Sequence, residues 1–386
     1  MEQYDVVVVG AGLAGLEAAR GLAERGASVL LVDRRSVVDE KVATTGIFVR
    51  RTLQDFDLPK DCLGPPVRDV ILASPAGREL HLTSDQVEYR VGRMGRLYRR
   101  WLDGAVAAGA VWAPGTTFES AVPVPGGGLA VALQSADSPR RVEARFMIGA
   151  DGSRSAVARA LGLDVNRREL VGAETVHHGV PLDGPTHFHC VLDPHVAPGY
   201  LAWVVHDGEE VHVGVGGQGH RYAVAQALRE FTQRMQGRYD LDRGTIVERR
   251  GGRIPVGGVL PRIANERGLL LGDAAGAVSP LTAGGLDPCL RLSRFAVEVT
   301  LAHLASGDPA ALARYDGRWF RRHFRKRLAL RNALVALWTP AALEAGCALL
   351  RTPPGRAVAR DIFFGRGSFP DAPTLIRSVR KSNSLA

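Results

Sequence analysis

Cysteine is scarce and scattered. Cys62, Cys190, Cys289 and Cys347 form no CxxC pair, which argues against a disulfide frame or a cysteine zinc site and fits a reducing compartment. Lysine is nearly missing as well. Lys41, Lys60, Lys326 and Lys381 are four of the 49 basic residues, so arginine carries the formal charge of +9. Arginine suits bidentate phosphate recognition, and the charge is read as serving an anionic cofactor or lipid. Only 6% of residues are aromatic and no basic module interleaves with them, so nucleic acid is not expected as a partner. Long apolar runs are also missing. The best candidate, Leu328 to Leu350, is broken by Arg331 and Glu344, so no membrane span is expected. Met1 leads straight into the strand-like run Tyr4 to Val9 with no basic region or cleavage site. No secretory leader is therefore read, and a cytoplasmic location is expected.

What is present is globular: 46% hydrophobic and 23% charged residues over 386 positions, enough for two or three domains with a sizeable core. Four valines at 6–9 follow Asp5 and read as a buried parallel strand. A helical pattern from Leu13 to Arg25 and a second strand, Ser28 to Val32, complete a βαβ start. Arg93 to Gly109 reads as a helix. Two short strands are expected around Pro123–Pro125 and Gly126–Gly128. The strand Arg141 to Ile148 feeds a helix from Ser153 to Leu161. From 165 to 255 the texture is β-rich, with Tyr200–Val205 and Glu210–Val215 joined by the hairpin signal Asp207-Gly208. Beyond 309 the chain reads as helical, with breaks at 352–355 and 365–373.

Three motifs carry chemistry. The first is Gly10-Ala11-Gly12-Leu13-Ala14-Gly15, with Asp33 at the end of the next strand. Its glycines allow a tight turn and close approach of a pyrophosphate to a helix N-terminus, and the acid can accept from a ribose hydroxyl. The second is Gly149-Ala150-Asp151-Gly152-Ser153-Arg154. The third is Gly272-Asp273-Ala274-Ala275-Gly276, followed by Ser279-Pro280-Leu281-Thr282-Ala283-Gly284-Gly285-Leu286. Asp287-Pro288 reads as N-cap and first residue of the following helix, whose positive end favours negative charge.

In this order and at these separations the three motifs resemble the FAD-binding fold shared by aromatic hydroxylases, flavin halogenases, lycopene cyclases and geranylgeranyl reductases. The resemblance implies an α/β fold: a discontinuous Rossmann-like FAD domain (1–75, 91–165, 256–308), an antiparallel β-sheet substrate domain (76–90, 166–255) and a helical C-terminal region (309–386). It implies FAD held by Gly10, Ala11, Gly12, Leu13, Ala14, Gly15, Asp33 and Arg34. Thr44, Thr45 and Gly46, Arg93 near the phosphates, Asp151 and Gly152 are further cofactor residues, with Gly272, Asp273, Pro280, Gly284, Gly285 and Leu286 on the ribityl and ring side. No second GxGxxG with strand and helix context occurs, so a transiently docked NADPH or NADH is the expected electron donor.

Within that superfamily the third motif, the run Pro198-Gly199-Tyr200-Leu201-Ala202-Trp203-Val204-Val205 with Val213-Gly214-Val215-Gly216, and the helical C-terminus resemble geranylgeranyl reductases. That branch implies an oxidoreductase that adds hydride to carbon–carbon double bonds of an isoprenoid or other apolar substrate. Tyr200, Trp203, Val205 and Val213 would line the cavity. The branch usually has proline where this chain has His206, and many members have a cysteine in the loop that here reads Lys41 to Gly46. A halogenase is disfavoured because no lysine lies between Lys60 and Lys326 and a WxWxIP motif is missing. An FAD monooxygenase using a C4a-hydroperoxide on an aromatic or polyketide-like substrate stays open, as does a lycopene-cyclase-like reaction without net redox.

Proton donors are sought among His206, His212 and Asp287. Eight of eleven histidines lie between His177 and His220; His187 and His189 could share one strand face, but no further ligand at sensible spacing supports a metal, and none is assigned. Cys289 is read as a small buried hydrophobe beside the flavin. The stretch Arg318 to Arg327 is read mainly as a solvated helix face and alternatively as a peripheral contact with an anionic bilayer. The oligomeric state has no signal in the sequence.

Overall fold

The computed structural model describes residues 1–135, 138–182, 184–219, 222–365 and 369–370. His220 and most of the tail expected to continue the C-terminal helices lie outside the described residues. An eight-stranded sheet is built around β1 (Glu2–Val9), flanked in parallel by β2 (Val29–Val32) and β11 (Pro139–Gly149). Its outer members are β8 (Val111–Ala113), β17 (Ala264–Asn265) and β18 (Gly268–Leu270), with the hairpin β9 (Thr117–Pro123) and β10 (Leu129–Gln134) running on from β11. The valines of β1 are fully buried up to Val8, because helices cover the sheet and leave a strand no wet side. Helix α1 (Leu13–Ala23) packs against α3 (Met94–Ala107) and α6 (Leu286–Ser306), with α4 (Ala156–Ala160) alongside β11.

The second sheet has seven strands in the order β16 (Thr245–Pro255), β12 (Glu169–His178), β15 (Glu210–Gly217), β14 (Ala202–His206), β13 (His187–Val191), β5 (Asp69–Ala73) and β6 (Glu79–Thr83). It is antiparallel except where β13 meets β5. Helix α5 (Val224–Tyr239) covers one face through Phe231 and Met235. A small sheet of β3 (Ile47–Val49), β7 (Tyr89–Gly92) and β4 (Leu63–Val67), with α2 (Arg50–Asp55), joins the two larger ones. Helices α7 (Gly317–His323), α8 (Arg325–Ala336), α9 (Pro340–Leu350) and α10 (Pro353–Phe364) close the molecule. Thr339 and Thr352 cap α9 and α10, each followed by proline in the first turn, where the missing N–H costs nothing.

Three expectations are corrected. Of the segment 123–128 only Pro123 is strand, the end of β9, and 124–128 is the turn of the β9–β10 hairpin rather than part of a pair of strands; three consecutive glycines with positive φ, Gly126 to Gly128, belong to the turn. The boundary near 75 moves back, because β5 pairs with β13 in the second sheet. Helix α6 begins two residues earlier than expected: Gly285 is its N-cap, and Asp287 and Pro288 lie inside the first turn. Proline is tolerated there because the first N–H groups of a helix have no internal acceptor. The Asp287 carboxylate instead accepts from Thr52 Oγ1 (3.0 Å) and Arg291 Nε (2.8 Å).

Candidate active site

One cavity of about 1,810 Å³ runs between the two large sheets and under the C-terminal helices. Ordinary ligand pockets span about 300–1,000 Å³, so it has room for a dinucleotide and a second molecule. Its lining changes character along its length. One end is made by the three glycine–aspartate motifs and the other by apolar side chains of α8, α9 and α10.

At the first end the chain turns at Gly10 (φ 103°) from β1 into α1. A Cβ on Gly15 would meet the Gly10 carbonyl oxygen at 1.8 Å, whereas a Cβ on Gly12 would meet nothing within 4 Å. Gly15 is therefore needed for helix-on-strand packing and Gly12 for what enters the cavity. No side chain caps the α1 N-terminus and its first turn holds no acid, so its N–H groups and partial positive charge are left for an anion. Asp33 Oδ2 accepts from Ala11 N (2.7 Å), and Arg35 pairs with Asp33 and donates to the Ala11 carbonyl (2.9 Å). Burial works against the Asp33 charge, but the Arg35 contacts and the two backbone N–H groups hold its carboxyl below the usual range. Asp151 Oδ2 caps the start of α4 through Ala156 N (2.6 Å), while its buried Oδ1 has no partner among the described residues. Asp273 faces the same space, and burial lifts its carboxyl to about 6. An open helix start, a glycine with free space and an orphaned carboxylate oxygen fit a pyrophosphate and ribose hydroxyls, and so fit FAD.

Of the residues expected to bind cofactor, Gly10, Gly12, Leu13, Ala14, Asp33, Arg34, Thr44, Thr45, Gly46, Asp151, Gly152, Gly272, Asp273, Gly284, Gly285 and Leu286 line this cavity. Ala11, Gly15 and Pro280 sit behind the lining; the Pro280 carbonyl accepts from Arg331 Nη1 (3.2 Å). Arg93 is elsewhere. Its guanidinium donates to the Asp61 and Asp207 carbonyls (both 3.2 Å) and pairs with Glu209, which ties it to the β14–β15 hairpin. Arg34 and the unanticipated Arg35 are the arginines beside the first motif.

The wall formed by the second sheet departs from expectation in its valines. Tyr200 and Trp203 line the cavity. Val205 lies one pair further along the face of Trp203 and packs on Val91. Val213 pairs with Val204 on the opposite face, under α5, because alternate residues of a strand point to opposite sides. The glycines of β15 explain how the two aromatics lie flat. A Cβ on Gly214 would sit 2.2 Å from the Trp203 ring, and one on Gly216 would sit 2.6 Å from the Tyr200 ring.

Through that gap Trp203 Nε1 donates to Glu174 Oε2 (3.1 Å). Glu174, on β12, lines the cavity although only 4% of it is exposed, and the sequence reading passed over it. It also accepts from the Thr45 hydroxyl, from Arg250 Nη1 and from His212 Nδ1 (both 3.3 Å). Burial raises its carboxyl, but His212, Arg250 and Thr45 outweigh this and hold it low. His212 does not reach the cavity; it is 2% exposed, with Asp207 Oδ2 3.7 Å from Nε2. Burial opposes its charge, yet Asp207 and Glu174 push it up to about 9. His206 is also outside the lining, and burial lowers its basicity. Asp287 does line the cavity, with one oxygen taken by Thr52 and Arg291. His187 and His189 share the Tyr239 hydroxyl at 2.9 and 2.7 Å; burial drops His189 to about 4. Cys289 is buried in the lining next to the third motif, and burial pushes its thiol far up.

At the other end the apolar lining includes Leu334, Val335, Trp338, Leu343, Ile362 and Phe363. Arg331, 4% exposed, fastens α8 by donating to the Pro280 and Gly199 carbonyls and to Gln218. Nothing in the composition of the C-terminal region announced that it would form a cavity wall.

Comparison with known proteins agrees with this geometry. Two family models, each described as an FAD binding domain, match residues 5–63 and 96–318. Digeranylgeranylglycerophospholipid reductase 1 of Methanopyrus kandleri is 34% identical over 327 residues, covering 82% of this chain and 86% of its own. The digeranylgeranylglycerophospholipid reductase of Methanocaldococcus jannaschii is 28% identical over 330 residues, covering 83% of each. A geranylgeranyl bacteriochlorophyll reductase-like protein of Thermoplasma acidophilum has the same fold, with a TM-score of 0.82 at 21% identity over 99% of both chains. The fold is shared with p-nitrophenol 4-monooxygenase of Pseudomonas putida, with a TM-score of 0.68 at 19% identity over 100% of this chain and 99% of the other.

Proposed function

The chain belongs to the geranylgeranyl reductase-like family of FAD-dependent oxidoreductases, and on that premise we propose that it reduces carbon–carbon double bonds of a geranylgeranyl-type isoprenoid lipid. The observation that carries the reading is the single continuous cavity, polar at the glycine–aspartate end and apolar under the C-terminal helices. A long hydrocarbon gains about 0.8 kcal/mol for each methylene removed from water, so an apolar chamber favours a substrate with many of them. FAD, when bound, supplies the hydride. The backbone of the first motif and Asp33 hold the dinucleotide, Asp151 and Asp273 take its hydroxyl groups, and the α6 N-terminus favours negative charge at the ring. Tyr200 and Trp203 fix the wall against which the chain of the lipid lies. Closing helices exclude water from the reacting carbons. Nicotinamide docks transiently, in keeping with the lack of a second dinucleotide fold among the described residues.

The reading also includes contact with an anionic bilayer. No helix among the described residues is long and apolar enough to cross a membrane. Leu330, Leu337, Leu349 and Val358, on the helices that wall the cavity, nevertheless stay 39–66% exposed. Arg318, Arg322, Arg325 and Lys326 are exposed on the adjoining helices. An apolar rim beside a basic face suits an interfacial position. The test of the main reading is anaerobic: reduced protein mixed with a geranylgeranyl lipid should regain oxidised flavin absorbance and yield saturated product. Failure to do so, with an aromatic substrate consumed on admitting air, would favour oxygenation instead.

A further inference from the structure

Glu174, His212 and Asp207 form a row from the cavity wall to the tip of the β14–β15 hairpin. His212 stands in the middle with Nδ1 3.3 Å from Glu174 Oε1 and Nε2 3.7 Å from Asp207 Oδ2. At the inner end the Thr45 hydroxyl bonds Glu174 and lines the cavity. At the outer end Glu210 is the part-exposed member, and its carboxylate, that of Asp207 and the His212 ring lie within 4.8 Å of one another. We propose that this row is the proton path of the reductase, with Thr45 the group that hands the proton to the substrate carbon and Glu174 and His212 the relay behind it.

The inference rests on the alkene-reduction reading above and names what that reading leaves unassigned. Hydride addition to one alkene carbon leaves the electron pair of the π bond on its neighbour, which must take one proton. That proton leaves Thr45 Oγ1 for carbon. The Thr45 oxygen is restored by a proton passing from His212 Nδ1 through Glu174, and His212 regains its proton from water by way of Asp207 and Glu210. Charge balances at each turn and no co-reactant other than water and the hydride is needed. The groups facing the ring agree with a stored proton. Glu174 on β12 and Asp207 and Glu210 at the hairpin are acidic, while Arg250 on β16 and the two histidines His177 and His206 oppose it. The balance keeps His212 protonated to about pH 9. Arg250, paired with Glu248, keeps Glu174 from carrying an uncompensated charge beside an apolar chamber. Of the other acids of the lining, Asp287 is held by Thr52 and Arg291 and one oxygen of Asp151 by the start of α4, while Asp273 lies with the third motif on the side given above to the cofactor.

The test has two parts. In the first, histidines labelled with ¹⁵N are followed by NMR from pH 5 to about pH 10 in the wild type and in E174Q. His212 should remain doubly protonated well above the usual imidazole range and titrate at lower pH in E174Q; an ordinary titration in the wild type overturns the proposal. In the second, holoenzyme reduced without oxygen is mixed with a geranylgeranyl lipid and flavin absorbance is followed against pH. E174Q and T45V, each saturated with FAD before reduction, should slow the step about a hundred-fold, the scale of a lost proton donor. The wild-type rate should fall only as pH passes about 9. An unaltered rate in both variants overturns the proposal. A wild type that reduces no alkene counts against the function itself, and the NMR result then still decides whether the row stores a proton.

Discussion

The Trp203 indole lies across Gly214 on the neighbouring strand, so close that a Cβ on Gly214 would stand 2.2 Å from the ring. That gap is what lets Trp203 Nε1 reach Glu174 on the strand beyond. Gly214→Ala should therefore push the indole aside and break the bond. Overpacking of this kind costs about 1–3 kcal/mol, so differential scanning calorimetry should show a lower Tm. The Trp203 fluorescence maximum should also shift. An unchanged Tm and spectrum would mean that the ring has room the geometry denies it.

Gly12 and Gly15 should separate under the same substitution. A side chain at Gly12 points into free space and leaves the fold alone, whereas Gly15 is pressed on the Gly10 carbonyl. Gly12→Val should give protein with normal circular dichroism and thermal stability that purifies colourless. Gly15→Val should fail to accumulate as folded protein. Yellow Gly12→Val would remove the pyrophosphate from the place assigned to it.

Asp33 should matter for FAD retention more than for stability. It fixes Ala11 N and Arg35 beside the cavity. Asp33→Ala removes an acceptor for a ribose hydroxyl and frees Arg35. A charge-assisted hydrogen bond is worth about 1.5–3 kcal/mol, which corresponds to a Kd for FAD raised roughly ten- to a hundred-fold. Titration of the unloaded protein with FAD, read by fluorescence quenching, measures it.

Stability should fall in alkali. The His212 pKa is raised in the folded protein, from 6.5 to about 9. Its contribution is therefore complete below pH 6.5 and is lost as pH climbs through about 9. The scale is on the order of 3 kcal/mol. Urea unfolding at neutral pH and near pH 9.5 should show the loss, and His212→Asn should flatten the difference while lowering stability at neutral pH.

Bilayer contact predicts two separable losses. Charge reversal at Arg322, Arg325 and Lys326 should abolish sedimentation with phosphatidylglycerol vesicles at low salt. Leu337→Ser with Leu349→Ser should weaken it at every salt concentration, since apolar burial is not screened as charge is. Binding that survives both sets of changes would place the contact elsewhere.

The cofactor end was legible because its signals are local. A glycine-rich turn between strand and helix, an acid after the next strand, and two later glycine–aspartate pairs are each written within a few residues. Arg93 was misplaced because its partners, Asp207 and Glu209, come from a hairpin more than a hundred residues away. Val213 needed the register with Val204 before its face could be known. Glu174 offered one clue, an acid midway along an apolar strand, but its meaning depends on Thr45, Trp203, His212 and Arg250 converging from four other segments. The segment after 309 read as helical and is so as far as α10; that it forms a wall follows from buried anchors such as Arg331, whose acceptors are backbone carbonyls with no sequence signature.

The division of the cavity between early motifs and late helices has an evolutionary consequence. The three glycine–aspartate motifs are all complete by residue 287, whereas α8 to α10 begin only at Arg325. Substitutions on those last three helices can reshape the apolar chamber without disturbing the dinucleotide cradle. Lineages can then diverge in the hydrocarbon they accept while inheriting their redox machinery intact.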